Sequence, residues 1–169
     1  GLEDEVDIYM GTFSKSLASL GGYMAGKSRI VDYVRHNSRP FIFSASVPPA
    51  SCAAALAALN VLEEEPELPE RLLQLSDFFR EALKQRGMSI RESRTPIVPI
   101  FTYTADRTLR IAMELYKQGL FVNTVLPPAA PADGCMLRTS LMATLTESLL
   151  EEAADILSRV LSMPEYAMK

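Results

Sequence analysis

A lysine near the start of the chain has the setting that most suggests chemistry. Lys15 lies in the stretch MGTFSKSLASLGGYMAG, among hydroxyl side chains and close to glycines. A lysine with its usual pKa of about 10.4 is protonated and unreactive, whereas a shielded lysine can lose its proton and form a Schiff base with a carbonyl. Hydroxyls such as those of Thr12 and Ser14 can bond phosphate oxygens. These residue types suit a lysine that binds pyridoxal phosphate, but a solvated lysine in a serine- and glycine-rich loop has the same short pattern.

The elements around this lysine are predicted to be two strands. VDIYMGTF is rich in β-branched and aromatic residues, and GGYMAGK is entered through a Gly-Gly turn, so the two strands should pair close to Lys15. Apolar residues at helical spacing predict a helix over Ser28 to Asn37. Pro40 then marks a return to an extended run, RPFIFSAS. The following segment, PPASCAAALAALNVLEEE, predicts a helix that buries its alanine face.

The segment EEEPELPE, residues 63–70, is charged and broken by prolines, which is typical of a boundary or linker. After it, hydrophobic periodicity and terminal glycines predict the order αβαββα. The last helix begins after Thr146, with Glu147 in its first turn where the helix dipole favours a negative charge. The whole pattern indicates the α/β class.

Composition excludes several classes of function. The 169 residues carry a net charge of −4 and scattered basic residues, which disfavours nucleic-acid binding. The chain has no apolar run of the roughly 20 residues that cross a bilayer, and it opens with an acidic stretch, so we expect a cytosolic protein without a transmembrane segment. Cys52 and Cys135 are far apart and lack histidine neighbours, so we expect two core or near-core thiols and no metal site. The single histidine, His36, is expected at a helix end on the surface.

Three ordered blocks of sequence extend the pattern around the lysine. They are GTFSKSLASLGGYMAG, RIVDYVRHNSRPFIFSASVPPASCAAALAAL and LFVNTVLPPAAPADGCMLRTSLMATLT. In this order they closely resemble the α-oxoamine synthase family, a group of fold-type-I enzymes that depend on pyridoxal phosphate. The resemblance implies that the chain is the C-terminal part of a fold-type-I PLP-dependent transferase. Residues 1–65 would end the PLP-binding large domain, and residues 66–169 would form the small α/β domain.

The resemblance also implies roles for individual residues. Lys15 matches the lysine that forms the Schiff base with the cofactor and then moves the proton of the amino acid's α-carbon. Thr12 and Ser14 match positions beside the cofactor. Ser44 and Ser46 match a segment that reaches the cofactor phosphate of the neighbouring subunit, which implies a homodimer with shared active sites.

A sixth residue, Arg138, matches an arginine associated with the substrate carboxylate, a role that suits its planar guanidinium. From the residues alone, Arg138 could instead be a strand residue paired with a surface acid. The chain departs from the family pattern at Leu126, where several members have arginine, and at Leu145, where histidine is common. No residue matches the aspartate that pairs with the cofactor's ring nitrogen, so we expect a fragment that is inactive alone.

The activity that the resemblance implies is condensation of an amino acid with an acyl-CoA to give an α-aminoketone. TFSKS, FSAS and SLMAT most resemble the bacterial members that use serine and palmitoyl-CoA. Members that make 8-amino-7-oxononanoate or 2-amino-3-ketobutyrate share the same frame and remain alternatives. A fold-type-I aminotransferase and a non-catalytic partner subunit are further alternatives, the second disfavoured because Lys15 is present.

Overall fold

The computed structural model describes residues 1–166, which divide into two compact units, Gly1–Pro66 and a second unit that starts at Glu67. The division falls within the proline-broken acidic segment that the sequence predicts to be a boundary. Each unit is described below by itself.

The first unit opens with a 3-10 turn at Glu3–Glu5, followed by the antiparallel strands β1 (Ile8–Thr12) and β2 (Gly22–Gly26). In their register Ile8 pairs with Gly26 and Thr12 pairs with Gly22. The predicted pairing of strands beside Lys15 is therefore confirmed.

Three helices complete this unit: α1 (Ser28–Asn37), α2 (Arg39–Ile42) and α3 (Pro49–Glu64). The prediction of an extended run over RPFIFSAS is wrong, because its first residues form the short helix α2. Ser38 caps α2 by accepting a hydrogen bond from the backbone N–H of Phe41 at 3.4 Å. Proline is favoured in a first helical turn, so Pro40 starts this helix rather than a strand.

The prediction of a buried alanine face on α3 is also wrong for this unit. Ala55 is the only residue of α3 that is buried, and Leu56 remains 60% exposed, because the rest of the unit covers only a narrow strip of the helix. Cys52 is exposed as well, which contradicts its predicted place in or near a core, whereas Cys135 in the second unit is buried. His36 lies exposed in the last turn of α1, as predicted.

The second unit has the predicted order αβαββα. Its elements are α4 (Leu68–Gln85), β3 (Ile97–Tyr103), α5 (Ala105–Lys117), β4 (Asn123–Val125), β5 (Cys135–Ser140) and α6 (Glu147–Leu161). The three strands form an antiparallel sheet in the order β3-β5-β4. The helices bury their apolar faces with the sheet in one core, which includes Leu83, Ile111, Leu137 and Leu157.

Two local features shape the ends of these elements. At the end of β3 the register shifts between Phe101 and Tyr103, and Tyr103 adopts a positive φ of 69°. Thr146 caps α6, because its hydroxyl oxygen accepts a hydrogen bond from the backbone N–H of Leu149 at 3.3 Å. This bond and the acidic Glu147 together stabilise the N-terminus of α6.

Candidate active site

Lys15 lies on the loop that joins β1 to β2, which we call the lysine loop (residues 13–21). Backbone hydrogen bonds close this loop on itself. Phe13 donates its N–H to the carbonyl of Gly21 at 2.9 Å, and Ser19 donates its N–H to the carbonyl of Phe13 at 2.8 Å. Inside the loop, Ala18 donates its N–H to the Lys15 carbonyl at 3.0 Å. The backbone that carries the lysine is therefore fixed by its own turns.

Two residues of the lysine loop have left-handed backbone conformations. Gly21 has a φ of 107°, which glycine adopts without steric cost, and Ala18 has a φ of 47°, which is uncommon for a residue with a Cβ. Uncommon backbone conformations persist where the surrounding structure imposes them, and they cluster at functional sites. The bend at Ala18 directly follows the turn that begins at Lys15.

The amine of Lys15 is exposed, and it makes no hydrogen bond or ion pair with any residue in the described range 1–166. The described chain therefore leaves the Lys15 side chain open to solvent. Thr12 and Ser14 are exposed on either side of Phe13. Ser14 lines an open depression together with Ser19 and Ser51. A free amine thus lies on the same loop as several hydroxyls.

Ser44 and Ser46 lie between α2 and α3, in a segment without regular secondary structure, and both are exposed. Val47, the next residue, contacts the lysine loop. A Cβ added at Gly21 would meet Val47 Cγ2 at 2.9 Å, so the glycine backbone packs directly against this side chain. The segment that carries the two serines is therefore held beside the lysine loop.

One contact that the sequence does not reveal is a hydrogen bond from Ser19 to α3. Ser19 Oγ donates to the carbonyl oxygen of Ser51 at 2.6 Å, across a separation of 32 residues. Sequence reasoning passed over both serines, because only the hydroxyl-rich character of the loop was visible. No local pattern indicates a partner so far along the chain.

Arg138 lies in the second unit, on the central strand β5. Its backbone pairs with Pro99 of β3 and with Asn123 of β4. Its side chain is exposed while its neighbours Leu137 and Thr139 are buried, as the alternation of a strand requires. In the part of the chain that the structure describes, no acidic side chain pairs with Arg138. The guanidinium is therefore available for an anion, and the alternative of a surface ion pair is not realised here.

Arg138 also lies at the rim of a cavity of about 570 Å³ in the second unit. The remaining walls are mostly apolar and come from α6, from the chain that leads into β4 and from the segment between β5 and α6. They include Leu120, Val122, Leu145, Leu149 and Ile156. Leu145, one of the departures from the family pattern, thus contributes an apolar wall to this cavity.

The pKa shifts in the second unit have local causes. Hydrogen bonds from Lys84 to Glu81 and Glu92 raise the pKa of the lysine. Burial lowers the pKa of Arg107, whose guanidinium donates to the carbonyl oxygens of Thr102 and Tyr166. These interactions tie neighbouring segments together, and none of them involves the predicted site residues.

Two further findings apply to residues 1–166. No group of three or more His, Cys, Asp or Glu side chains there is arranged to hold a metal ion. No helix in that range combines the length and the apolar character needed to cross a membrane.

The fold and the site define the class of protein. It is an α/β chain whose first unit presents a lysine on a closed hairpin loop and whose second unit carries a strand arginine with no acidic partner among residues 1–166. The sequence profile of the aminotransferase class I and II family matches residues 1–157. The chain belongs to this family.

Two individual relatives and one solved structure show which members of the family the chain resembles. The chain is 42% identical over 165 residues to serine palmitoyltransferase of Sphingobacterium spiritivorum, covering 98% of this chain and 41% of that protein. It is 43% identical over 162 residues to 8-amino-7-oxononanoate synthase of Citrifermentans bemidjiense, covering 95% of this chain and 42% of that protein. A high-resolution structure of serine palmitoyltransferase with the PLP internal aldimine superposes with a TM-score of 0.88 at 31% identity, over 95% of this chain and 41% of that one.

These relatives confirm the predicted fold, since the chain matches part of a fold-type-I PLP-dependent enzyme. They also confirm the predicted resemblance to α-oxoamine synthases, and in particular to serine palmitoyltransferase. The chain spans about 41% of the length of the first of these relatives.

Proposed function

We propose that a protein containing this chain, at the full length of its relatives, is a PLP-dependent acyltransferase of the serine palmitoyltransferase type. The observation that carries the proposal is the Lys15 amine, which is exposed and unpaired among the described residues on a loop closed by its own hydrogen bonds. The 42% identity to a serine palmitoyltransferase supports this choice of substrate class. The acyl group joined to the α-carbon of the amino acid would come from a long-chain acyl-CoA, and CoA and the carboxyl group of the amino acid, as carbon dioxide, would leave.

The residues of the first unit fit the cofactor. Lys15 offers a free amine for its aldehyde, and exposed hydroxyls lie close by in sequence, Ser14 on the same loop and Thr12 at the end of β1. Ser44 and Ser46 would bind the phosphate of the cofactor in a neighbouring subunit, so we propose a homodimer with shared active sites. Because these two serines are exposed in the described chain, they are free to contact a partner.

Pyridoxal phosphate supplies the electron sink that makes the α-carbon of an amino acid acidic. The work left to this chain is to hold the substrate and to move a proton. Lys15 Nζ would take the proton from the α-carbon of serine and return it later. Arg138 would hold the substrate carboxylate with two parallel hydrogen bonds, a role that suits its planar guanidinium.

Other members of the family remain candidates. The 43% identity to an 8-amino-7-oxononanoate synthase supports that activity nearly as well, and a 2-amino-3-ketobutyrate CoA ligase has the same requirements. The two departures, Leu126 and Leu145, bear on this choice because they change side chains at or near predicted substrate contacts. An aminotransferase would release no CoA, and a non-catalytic partner subunit would not need the lysine. We propose a cytoplasmic location.

The proposal is tested on the full-length protein. With pyridoxal phosphate we expect a visible absorbance that borohydride converts into a pyridoxyl group fixed on the Lys15 peptide, identified by mass spectrometry. Lys15→Ala should lose that group and lower the turnover number by about 10³-fold or more, because it removes the proton carrier. Lys27 is an exposed lysine beyond β2, so Lys27→Ala is the matched control. It should keep both the pyridoxyl group fixed on Lys15 and the turnover number.

The substrate class is read from the product. Serine, glycine and alanine are each paired with short and long acyl-CoAs, and CoA release and product mass are measured. Product from serine and palmitoyl-CoA supports the first candidate, whereas product from alanine and a pimeloyl thioester supports the second. A Lys15→Ala protein that retained the fixed pyridoxyl group would overturn the assignment of Lys15.

A further inference from the structure

We infer that Ser19 is a positioning residue for Lys15, which it holds in place by docking the lysine loop onto the start of α3. The inference rests on the proposed function of Lys15, because it assigns a task to a residue that acts through that lysine. It gives Ser19 a role that requires no contact with the substrate or the cofactor.

The side chain of Lys15 has no hydrogen-bond or ion-pair partner in residues 1–166. The position of its amine is therefore set by the position of the Lys15 backbone. The hydrogen bonds inside the lysine loop fix the shape of the loop. They do not fix the loop relative to the rest of the unit, because all of them join residues of the loop to each other. A contact to another element is needed for that.

The Ser19 hydroxyl supplies such a contact. Its bond to the Ser51 carbonyl, at 2.6 Å, is short for a hydroxyl donor and lies in a half-buried position. It is the only side-chain hydrogen bond between the lysine loop and α3 in the described part of the chain. Ser51 lies in the first turn of α3, on a rigid element.

A second, independent contact supports the same docking. Gly21 packs against Val47, and a Cβ at Gly21 would come within 2.9 Å of Val47 Cγ2. The lysine loop is therefore held at two points, by packing at Val47 and by hydrogen bonding at Ser51. Because packing alone allows sliding, the hydrogen bond is the contact that defines the register between loop and helix.

The backbone of Ser19 connects the hydrogen bond with Ser51 directly to the lysine. Its N–H binds the Phe13 carbonyl at 2.8 Å, two residues before Lys15, and its neighbour Ala18 binds the Lys15 carbonyl at 3.0 Å. A displacement of Ser19 is thus transmitted on both sides of the lysine. In catalysis a misplacement of about 1 Å can lower a rate roughly a hundredfold.

The experiment uses the full-length protein and two readouts. The first is hydrogen–deuterium exchange of the peptide that spans residues 13–21, measured without pyridoxal phosphate. The second is the rate at which the α-proton of serine exchanges with deuterated solvent when the cofactor is present and acyl-CoA is absent. Amide exchange of the peptide reports the contact between the lysine loop and α3, and serine α-proton exchange reports the position of the Lys15 amine.

Ser19→Ala should speed amide exchange in this peptide roughly fivefold, the effect of losing one net hydrogen bond. It should slow serine α-proton exchange about tenfold or more, while KM for serine changes less than about threefold, because the amine is misplaced and substrate binding is not. Ser19→Thr keeps the hydroxyl and should restore both rates to within about threefold.

Ser162→Ala is the matched control, since it removes a serine bond to a backbone carbonyl, Ser158 O at 2.7 Å, in the second unit. It should leave both readouts unchanged. Amide exchange over residues 13–21 that is the same in Ser19→Ala as in wild type would overturn the inference. So would a Ser19→Thr protein as impaired as Ser19→Ala. Failure of the proposed function is read separately, because the wild-type protein would then gain no pyridoxyl group on the Lys15 peptide, whatever the amide exchange of residues 13–21.

Discussion

Tyr103 shows how one residue can strain a strand end. Its φ of 69° places it in the left-handed region, and the N–H of Thr104 binds the Thr102 carbonyl at 2.9 Å around it. This is a tight three-residue turn, which disfavours any side chain with a Cβ. The turn ends β3 after its register shift against β5.

We therefore expect Tyr103→Gly to be more stable than Tyr103→Ala by about 1 kcal/mol, since only glycine adopts this φ without cost. The free energy of unfolding is measured by urea titration of both variants. Met113, which is exposed inside α5, provides the opposite control. There the glycine variant should be less stable than the alanine variant by about 1 kcal/mol. Equal stability of the two Tyr103 variants would contradict this account.

At the level of single residues, the predicted site remains a prediction for Thr12, Ser14, Lys15, Ser44, Ser46 and Arg138. The sequence could indicate Lys15 because hydroxyls and glycines surround it within a few positions. It could not indicate Ser19, whose partner lies 32 residues away. It also could not decide whether Arg138 has an acidic neighbour, because that depends on which side chains the sheet brings together.

Among the elements, the N-terminus of α6 gives a direct test of local sequence signals. Thr146 accepts a hydrogen bond from Leu149 N–H at 3.3 Å. Thr146→Ala should lower the free energy of unfolding by about 1 kcal/mol, whereas Thr146→Ser should lower it by less than half as much. Thr144→Ala, an exposed threonine just before the cap, should change stability by less than about 0.5 kcal/mol. An alanine variant at position 146 as stable as wild type would show that the cap contributes nothing.

The strands and most helices could be predicted from periodicity because each has a strong local signal. The strands β1 and β2 carry β-branched residues, aromatic residues and a glycine turn, and α4 repeats its apolar residues at helical spacing. The helix α2 was missed because Ser38 and Pro40 act as a helix start that overrides the apolar run after them. Local signals also failed for the burial of α3, which depends on what packs against it and not on its composition.

At the scale of the whole molecule, the two units differ in how much core they contain. In the first unit Ala55 is the only buried hydrophobic residue, while large side chains such as Phe41 and Phe43 are exposed. The second unit has a continuous core built from three helices and the sheet. A unit that buries little apolar surface cannot offset the entropy lost on folding.

We therefore expect a protein that begins at Glu67 to unfold cooperatively in urea, and residues 1–66 alone to show no cooperative transition. The unfolding of both proteins is measured by circular dichroism and tyrosine fluorescence. Leu83→Ala in the protein beginning at Glu67 should lower the free energy of unfolding by about 2 to 5 kcal/mol, because Leu83 is fully buried. A sharp unfolding transition in residues 1–66 would contradict the expectation.

The bond between Ser19 and Ser51 has a consequence for the order of events during folding. The hairpin of β1 and β2 involves neighbours in sequence, and such hairpins form within microseconds. The bond joins residues 32 positions apart, so it must wait until the chain has closed a longer loop. The turn that carries Lys15 would thus form early, and the amine would reach its final position late, once Ser19 has met Ser51.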